Sequence, residues 1–221
     1  MSIHKAQALV LRKRDFRETS LIADFYSLEF GKLTGVLKGI KADPKKFASS
    51  VEPFSYNEII FYRKRNSALH LVSACDAKEN FSQIRQDITK STAASFMMEL
   101  LSCVMPQEEI NETVFHLALE CLSELSKSFN ADKITTIFKI KLLALSGFKP
   151  HFDSCVSCND RILGQAKFSL LLGGLLCGRC SVKDLASRSV FRGTVASILH
   201  IERSDLKNGL NLGMNPQIKR E

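Results

Sequence analysis

The spacing of four cysteines constrains this chain more than any other feature. Cys155-Val156-Ser157-Cys158 and Cys177-Gly178-Arg179-Cys180 are two CxxC pairs with eighteen residues between them. A CxxC brings two thiolates to one metal from a single tight turn. Two such pairs complete the tetrahedral sulfur set that a structural zinc takes. With four sulfurs in place, no position is left for a substrate or an activated water. The expected cofactor is one structural zinc held by Cys155, Cys158, Cys177 and Cys180. The competing reading is four reduced cysteines without metal. A redox role fits less well, because it wants one CxxC at a helix start after a strand. His151 lies near Cys155 in sequence and could in principle replace a ligand, but the four cysteines make that unnecessary.

The residues between the pairs suit a metal-clipped hairpin. Phe168 to Leu172 reads as a strand, Gly173-Gly174 as its turn, and Leu175-Leu176 as the return into the second pair. So short a segment buries little core, so metal would supply much of its stability.

The N-terminal third reads as β-structure. Ala6, Ala8 and Val10 alternate with polar neighbours. Ser20 to Leu28 follows, with Leu21, Ala23 and Phe25 on one side and Ile22 and Tyr26 on the other. Then come Leu33 to Lys38, Tyr56 to Tyr62, and Leu69 to Ala74. Five short strands with turn signals match a small barrel such as an OB-fold, and Gly35 suits a bend at a barrel corner.

Residues 80–148 change period. Ala93, Phe96, Met97, Leu100, Leu101 and Val104 follow helical spacing up to Pro106. Val114, Leu117, Ala118, Cys121, Leu122 and Leu125 form a second stripe. Ile134, Ile137, Phe138, Lys141, Leu142 and Leu145 form a third, with Gly147 as C-cap. Asn111 and Asp132 are the expected N-caps. The tail is expected to run weakly helical from about Ser181 through Val190 to Ile201 and to fray in its Asn/Gly-rich end from Lys207 to Pro216. The fold class is therefore α+β: an OB-fold barrel over 1–78, a helical domain over 79–150, a four-cysteine module over 151–182, and a helical tail over 183–221 packing on the helical domain.

Charge narrows the partners. The net charge is +8, unevenly spread. Residues 1–80 carry +5, residues 81–148 carry −2, and residues 149–221 carry +5. Basic surfaces favour polyanions, because each neutralised phosphate releases counterions. In the barrel the candidate nucleic-acid contacts are Lys38, Lys41, Lys45 and Lys46 in the loop after strand three. To these are added Arg12, Lys13, Arg14 and Arg17 after strand one, and Arg63, Lys64 and Arg65 at the second hairpin. Phe16, Phe47 and Tyr62 are candidate base-stacking rings, although for any one of them a place in the core is the favoured reading.

Other classes are disfavoured. The apolar runs fall far short of the roughly 20 residues of a membrane span, and charge interrupts the N-terminus at Lys5 and at Arg12-Lys13-Arg14. Cys75, Cys103 and Cys121 sit singly in apolar patterns, as expected of reduced core residues of a cytoplasmic protein. No phosphate loop, nucleophile elbow, HExxH or dinucleotide fingerprint occurs, and the five histidines are scattered, so no enzyme is expected.

Several stretches resemble the RecO family of bacterial DNA repair and recombination mediators. They are Phe30-Gly31-Lys32-Leu33, Lys38-Gly39-Ile40-Lys41, Val51-Glu52-Pro53-Phe54, Phe138 to Leu143 with Gly147 and Pro150, and Cys155 to Cys180 with Phe168-Ser169 and Gly173-Gly174. They follow the family's order over roughly residues 5–190. The resemblance implies binding of single- and double-stranded DNA and annealing of complementary strands. It also implies cooperation with RecR, docking of the acidic C-terminal tail of single-strand-binding protein on the helical domain, and indirect help to RecA. The family's basic loop matches Lys38 and Lys41. Ala42-Asp43 replaces the arginines many members carry next, which shifts the expected contact toward Lys45 and Lys46. Lys139 and Lys141, beside an apolar face, are the candidate partner-binding residues. Two readings of another class stay open: an RNA-binding or transcription-associated OB/zinc protein, and an interaction scaffold for acidic partners.

Overall fold

The computed structural model describes residues 2–43, 47, 51–63, 67–128 and 130–220. Compact packing divides the chain into two units, residues 1–142 and 143–221.

The first unit begins with a closed barrel of β1 (Ser2–Phe16), β2 (Ser20–Ser27), β3 (Gly31–Leu37), β4 (Tyr56–Arg63) and β5 (Leu69–Glu79). The order around the barrel is β1-β2-β3-β5-β4, closed by β1 against β4, with β3 and β5 parallel and the other pairs antiparallel. This is the five-stranded OB arrangement, and closure leaves no free edge. The period-2 residues meet inside: Ala6, Ala8 and Val10 pack with Ala23, Phe25 and Phe61. Gly35 is needed for close approach, because a Cβ there would lie 2.4 Å from the Val72 side chain.

Strand β1 does not keep one alternation throughout. Val10 pairs with Phe25 and Arg12 pairs with Asp24, so Leu11 is an extra residue, a β-bulge. By strict alternation Arg12 and Arg14 would continue the inward row of Ala6, Ala8 and Val10. The bulge reverses the parity and turns both arginines out.

Helices α1 (Ser82–Arg85), α2 (Ile88–Val104), α3 (Glu112–Lys127) and α4 (Ala131–Leu145) follow. The α3 stripe is buried as its spacing predicts, with Phe115 added. Asn111 caps α3 by accepting from the Val114 amide, and Asp87 caps α2 through the Thr89 and Lys90 amides. Asp132 is not a cap. It lies in the first turn of α4, and Asn130 accepts from the Lys133 amide instead. Gly147, at φ +82°, closes α4, with the Phe148 amide bonding Leu143 O at 2.9 Å. Helix α2 buries Lys90, Ala94, Met97, Met98 and Leu101, and Phe96 is 42% exposed. Its apolar residues cover more than one face, so spacing alone misplaces the buried one. Cys75 and Cys121 are buried, and burial pushes both thiols up to about 12. Cys103, expected in the core, is exposed.

The second unit holds a three-stranded sheet of β6 (Ala166–Ser169), β7 (Gly174–Leu176) and β8 (Arg188–Val190), ordered β7-β6-β8. A 3₁₀ turn spans Cys180–Lys183, and α5 (Arg192–Arg203), α6 (Leu206–Asn211) and α7 (Pro216–Arg220) complete it. The hairpin differs from expectation. Ser169 pairs directly with Gly174, so residues 170–173 form the turn, and Leu170, Leu171 and Leu172 leave the strand. The tail also holds β8, which pairs with β6. Its Asn/Gly-rich end forms α6, capped by Asp205 on the Asn208 amide at 2.7 Å and anchored by buried Leu206. No helix among the described residues is long and apolar enough to cross a membrane.

Candidate metal centre and nucleic-acid interface

The sulfurs of Cys155, Cys158, Cys177 and Cys180 lie within 4.8 Å of one another. Two knuckles deliver them. In the first, the Asn159 amide returns to Cys155 O at 2.8 Å, and in the second the Cys180 amide returns to Cys177 O at 3.1 Å. The hairpin joins the two. The Leu175 amide donates to His151 O and the His151 amide to Gly173 O, each at 2.9 Å, and the Val156 amide donates to Leu175 O at 2.8 Å. Gly174 permits this contact, because a Cβ there would sit 2.7 Å from His151 O. His151 is outside the sulfur group, with Nε2 at 2.7 Å from Ser154 Oγ.

The donor set fits a tetrahedral metal. Zinc–sulfur bonds of about 2.3 Å need sulfurs about 3.8 Å apart. Cys158 and Cys177 are 3.9 Å apart. Burial opposes the Cys155 thiolate, but the Cys177, Cys158 and Ser157 amides outweigh it and lower the thiol to about 6. The Cys177 thiol is lowered chiefly by the Cys180 amide. Backbone amides thus favour thiolate at Cys155 and Cys177, whereas at Cys158 the Asp160 amide is outweighed by burial and the three neighbouring sulfurs, which hold that thiol up at about 12.

The candidate DNA contacts divide between two ends of the barrel. At the β1–β2 end, the Lys41 amide donates to Thr19 O at 3.0 Å, and the Gly39 amide donates to Ser20 Oγ at 3.3 Å. These bonds tie the Lys38–Lys41 loop to the turn that carries Arg17. Arg17 has a left-handed backbone at φ 55°, and its guanidinium lies 5.3 Å from the Phe16 ring centre. Across the outer face, Arg12, Asp24 and Thr34 form a row over three strands. Asp24 Oδ1 accepts from Thr34 at 2.6 Å, and Oδ2 accepts from Arg12 Nε and, at 3.4 Å, from Arg14. Burial opposes ionisation of Asp24, yet Thr34 and Arg12 bring its pKa below the usual carboxylate range. Lys13 pairs with Glu52 and Lys41 with Asp15, each at 2.7 Å. No carboxylate among the described residues pairs with Lys38 or Arg17.

Arg63 is elsewhere. It pairs across from Ser2, at the far end of β1 and on the order of 40 Å along the strand from Arg14. Its guanidinium is bonded to Glu108. Lys45, Lys46, Lys64 and Arg65 lie outside the described residues. Of the candidate stacking rings, Phe47 takes the core place: it is 1% exposed and packs in the barrel core, so no base can reach it. Phe16 and Tyr62 are half-buried. On α4, Lys139 lies 5.8 Å from the centre of the exposed Phe96 ring. Lys141, two residues on, points about 200° around the helix from it. Sequence reading missed Asp24, although a carboxylate alternating with Ile22 and Tyr26 in a β run was a visible signal.

Two family models cover nearly the whole chain. "Recombination protein O N terminal" matches residues 1–81, and "Recombination protein O C terminal" matches residues 85–221. The chain belongs to the RecO family. A "DNA repair protein RecO" from Desulforamulus reducens is 31% identical over 222 residues, all of this chain and 86% of that protein. One from Pelotomaculum thermopropionicum is 32% identical over 195 residues, 88% of this chain and 75% of that protein. One from Alkaliphilus metalliredigens is 29% identical over 215 residues, 97% of this chain and 87% of that protein. The OB barrel, the helices and the four-cysteine group are thus the frame of a RecO-family chain.

Proposed function

We propose that this RecO-family chain is a DNA-binding mediator that acts by electrostatics rather than by bond chemistry. The barrel is its DNA-binding domain, and the β1–β2 end is the contact surface. Lys38, Lys41, Arg17, Arg12, Arg14 and Lys13 neutralise phosphates there. Lowering the repulsion between two strands lets complementary bases pair, so the expected activity is annealing. Single- and double-stranded DNA are both ligands, because a phosphate contact does not read sequence.

The observation that carries this reading is the pair of bonds from the Lys38–Lys41 loop to the β1–β2 turn, which gathers cations from two loops. Lys13–Glu52 and Lys41–Asp15 are partly exposed pairs, worth about 0–1 kcal/mol, so a phosphate can displace the carboxylates. Asp24 is buried and stays. Arg12 uses only Nε on it, and the outer guanidinium edge is left for phosphate.

In the second unit, Cys155, Cys158, Cys177 and Cys180 would hold one zinc, which when bound cross-links the two knuckles and does no chemistry. RecR, the acidic tail of single-strand-binding protein and, indirectly, RecA are the proposed partners. Lys139 beside exposed Phe96 is the stronger candidate for an acidic tail, because Lys141 points elsewhere on the helix. The test is annealing of complementary oligonucleotides by Lys38→Glu/Lys41→Glu protein. Slower annealing with unchanged melting supports the assignment. Wild-type annealing by that variant would remove the loop from the mechanism.

A further inference from the structure

The β6–β7 turn is an apolar tip on a rigid base. Leu170 and Leu171 are 82% and 79% exposed. Turns are ordinarily polar because they run over the surface, so two adjacent bare leucines call for an occupant. The base below them is fixed. Buried Ser169 Oγ accepts from the Leu172 amide at 3.0 Å and donates to Asp184 Oδ2 at 2.6 Å. Asp184, also buried, accepts at Oδ1 from the Ala186 amide at 2.9 Å. One serine–carboxylate pair therefore locks the turn to residues 184–187, where Leu185 is 92% exposed.

The surroundings are cationic. Residues 161–192 contain six Lys and Arg and a single acid, the buried Asp184. Arg179 is engaged by Asp160. No carboxylate among the described residues pairs with Lys183 or Arg188, which stand on either side of the 184–187 loop in sequence. A second copy of this face would set these cations against their own kind. A polyanion that also offers flat apolar faces satisfies both features. In nucleic acid those faces are the bases, closed inside a duplex and open where stacking ends. Apolar side chains inserted at base steps are an established way of unstacking them.

We propose that the β6–β7 turn is a wedge for the junction between single- and double-stranded DNA. Leu170 and Leu171 pack on the terminal base pair, and Lys183 and Arg188 hold the flanking phosphates. This rests on the DNA-binding reading above and narrows it to one DNA structure and to a surface outside the barrel.

The experiment uses the full-length, metal-loaded protein and oligonucleotides carrying 2-aminopurine, either at a junction pair or inside the duplex. Wild type is expected to raise fluorescence at the junction only and to bind the junction severalfold tighter than plain single strand. Leu170→Ser/Leu171→Ser, a change at exposed positions, should lose both effects. It should keep its metal and its melting temperature, and hold single-strand affinity within about twofold. Leu170→Met/Leu171→Met should retain the signal. A serine variant with unchanged junction fluorescence and preference overturns the wedge and leaves the tip to an apolar pocket on a protein. Wild type without salt-dependent DNA binding overturns the DNA-binding reading itself, and the wedge with it.

Discussion

Asp24 is the residue on which the arginine face turns. It is buried, ionised and bonded to Thr34, Arg12 and Arg14. Its pKa is lowered in the fold, so it contributes stability above the unfolded carboxylate value near 3.9, and that contribution is lost as pH falls through the lower folded value. Asp24→Asn is expected to cost about 1.5–3 kcal/mol at pH 7, the range for hydrogen bonds to a charged group. The difference from wild type should shrink below about pH 4, as acid unfolding followed by circular dichroism would reveal. Equal loss at pH 3 and pH 7 would show that the charge is not what Asp24 supplies. Phe47 gives a second residue-level outcome. As a core ring, Phe47→Ala should lower stability by about 3–5 kcal/mol in a denaturant titration. The fraction still folded should bind DNA as wild type does. A stable variant with weak DNA binding would restore Phe47 as a stacking ring.

Among the elements, the two ends of β1 are predicted to behave differently. Arg63 stands at the end of β1 away from the Lys38–Lys41 loop. Arg63→Glu should leave DNA affinity within about twofold. Lys38→Glu/Lys41→Glu should reduce it by tenfold or more at low salt, since two phosphate contacts are lost. Fluorescence anisotropy on one oligonucleotide distinguishes the outcomes, and equal losses would contradict a single contact end. The same strand shows what the sequence made legible. Ala6, Ala8 and Val10 announced their face, because burial and alternation share period 2. The bulge at Leu11 was hidden, since it is a matter of register with β2, and only the charges at Arg12 and Arg14 hinted that the parity had reversed. The four cysteines were legible because metal chemistry fixes their spacing locally. The hairpin turn was not, because no polar side chain breaks residues 170–176, and what ends β6 at Ser169 is a bond to Asp184, fifteen residues on. Phe47 could not be settled for a related reason: a loop residue by sequence, it is placed in the core by strands remote from it.

The whole molecule consists of two units with different sources of stability. Residues 1–142 contain a closed barrel with its own apolar core. In residues 143–221 the sheet has strands of four, three and three residues. Structural zinc sites contribute on the order of 10–16 kcal/mol in small zinc-dependent folds. Chelation of the metal-loaded protein should therefore abolish one calorimetric transition and leave the barrel's transition in place. Cys177→Ser should do the same without chelator. Loss of both transitions, or of neither, would contradict metal-dependent folding of the second unit alone.

The most direct test of the DNA-binding claim is the salt dependence of binding, measured with metal-quantified protein on single-stranded and duplex oligonucleotides. A phosphate-contacting surface predicts that log K falls linearly with log salt, with a slope of about −0.9 per contact on duplex and about −0.7 on single strands. The Lys38→Glu/Lys41→Glu protein should show a slope shallower by about 1.8 on duplex. Binding that is absent at low salt, or that keeps the same slope in the double variant, would contradict the account.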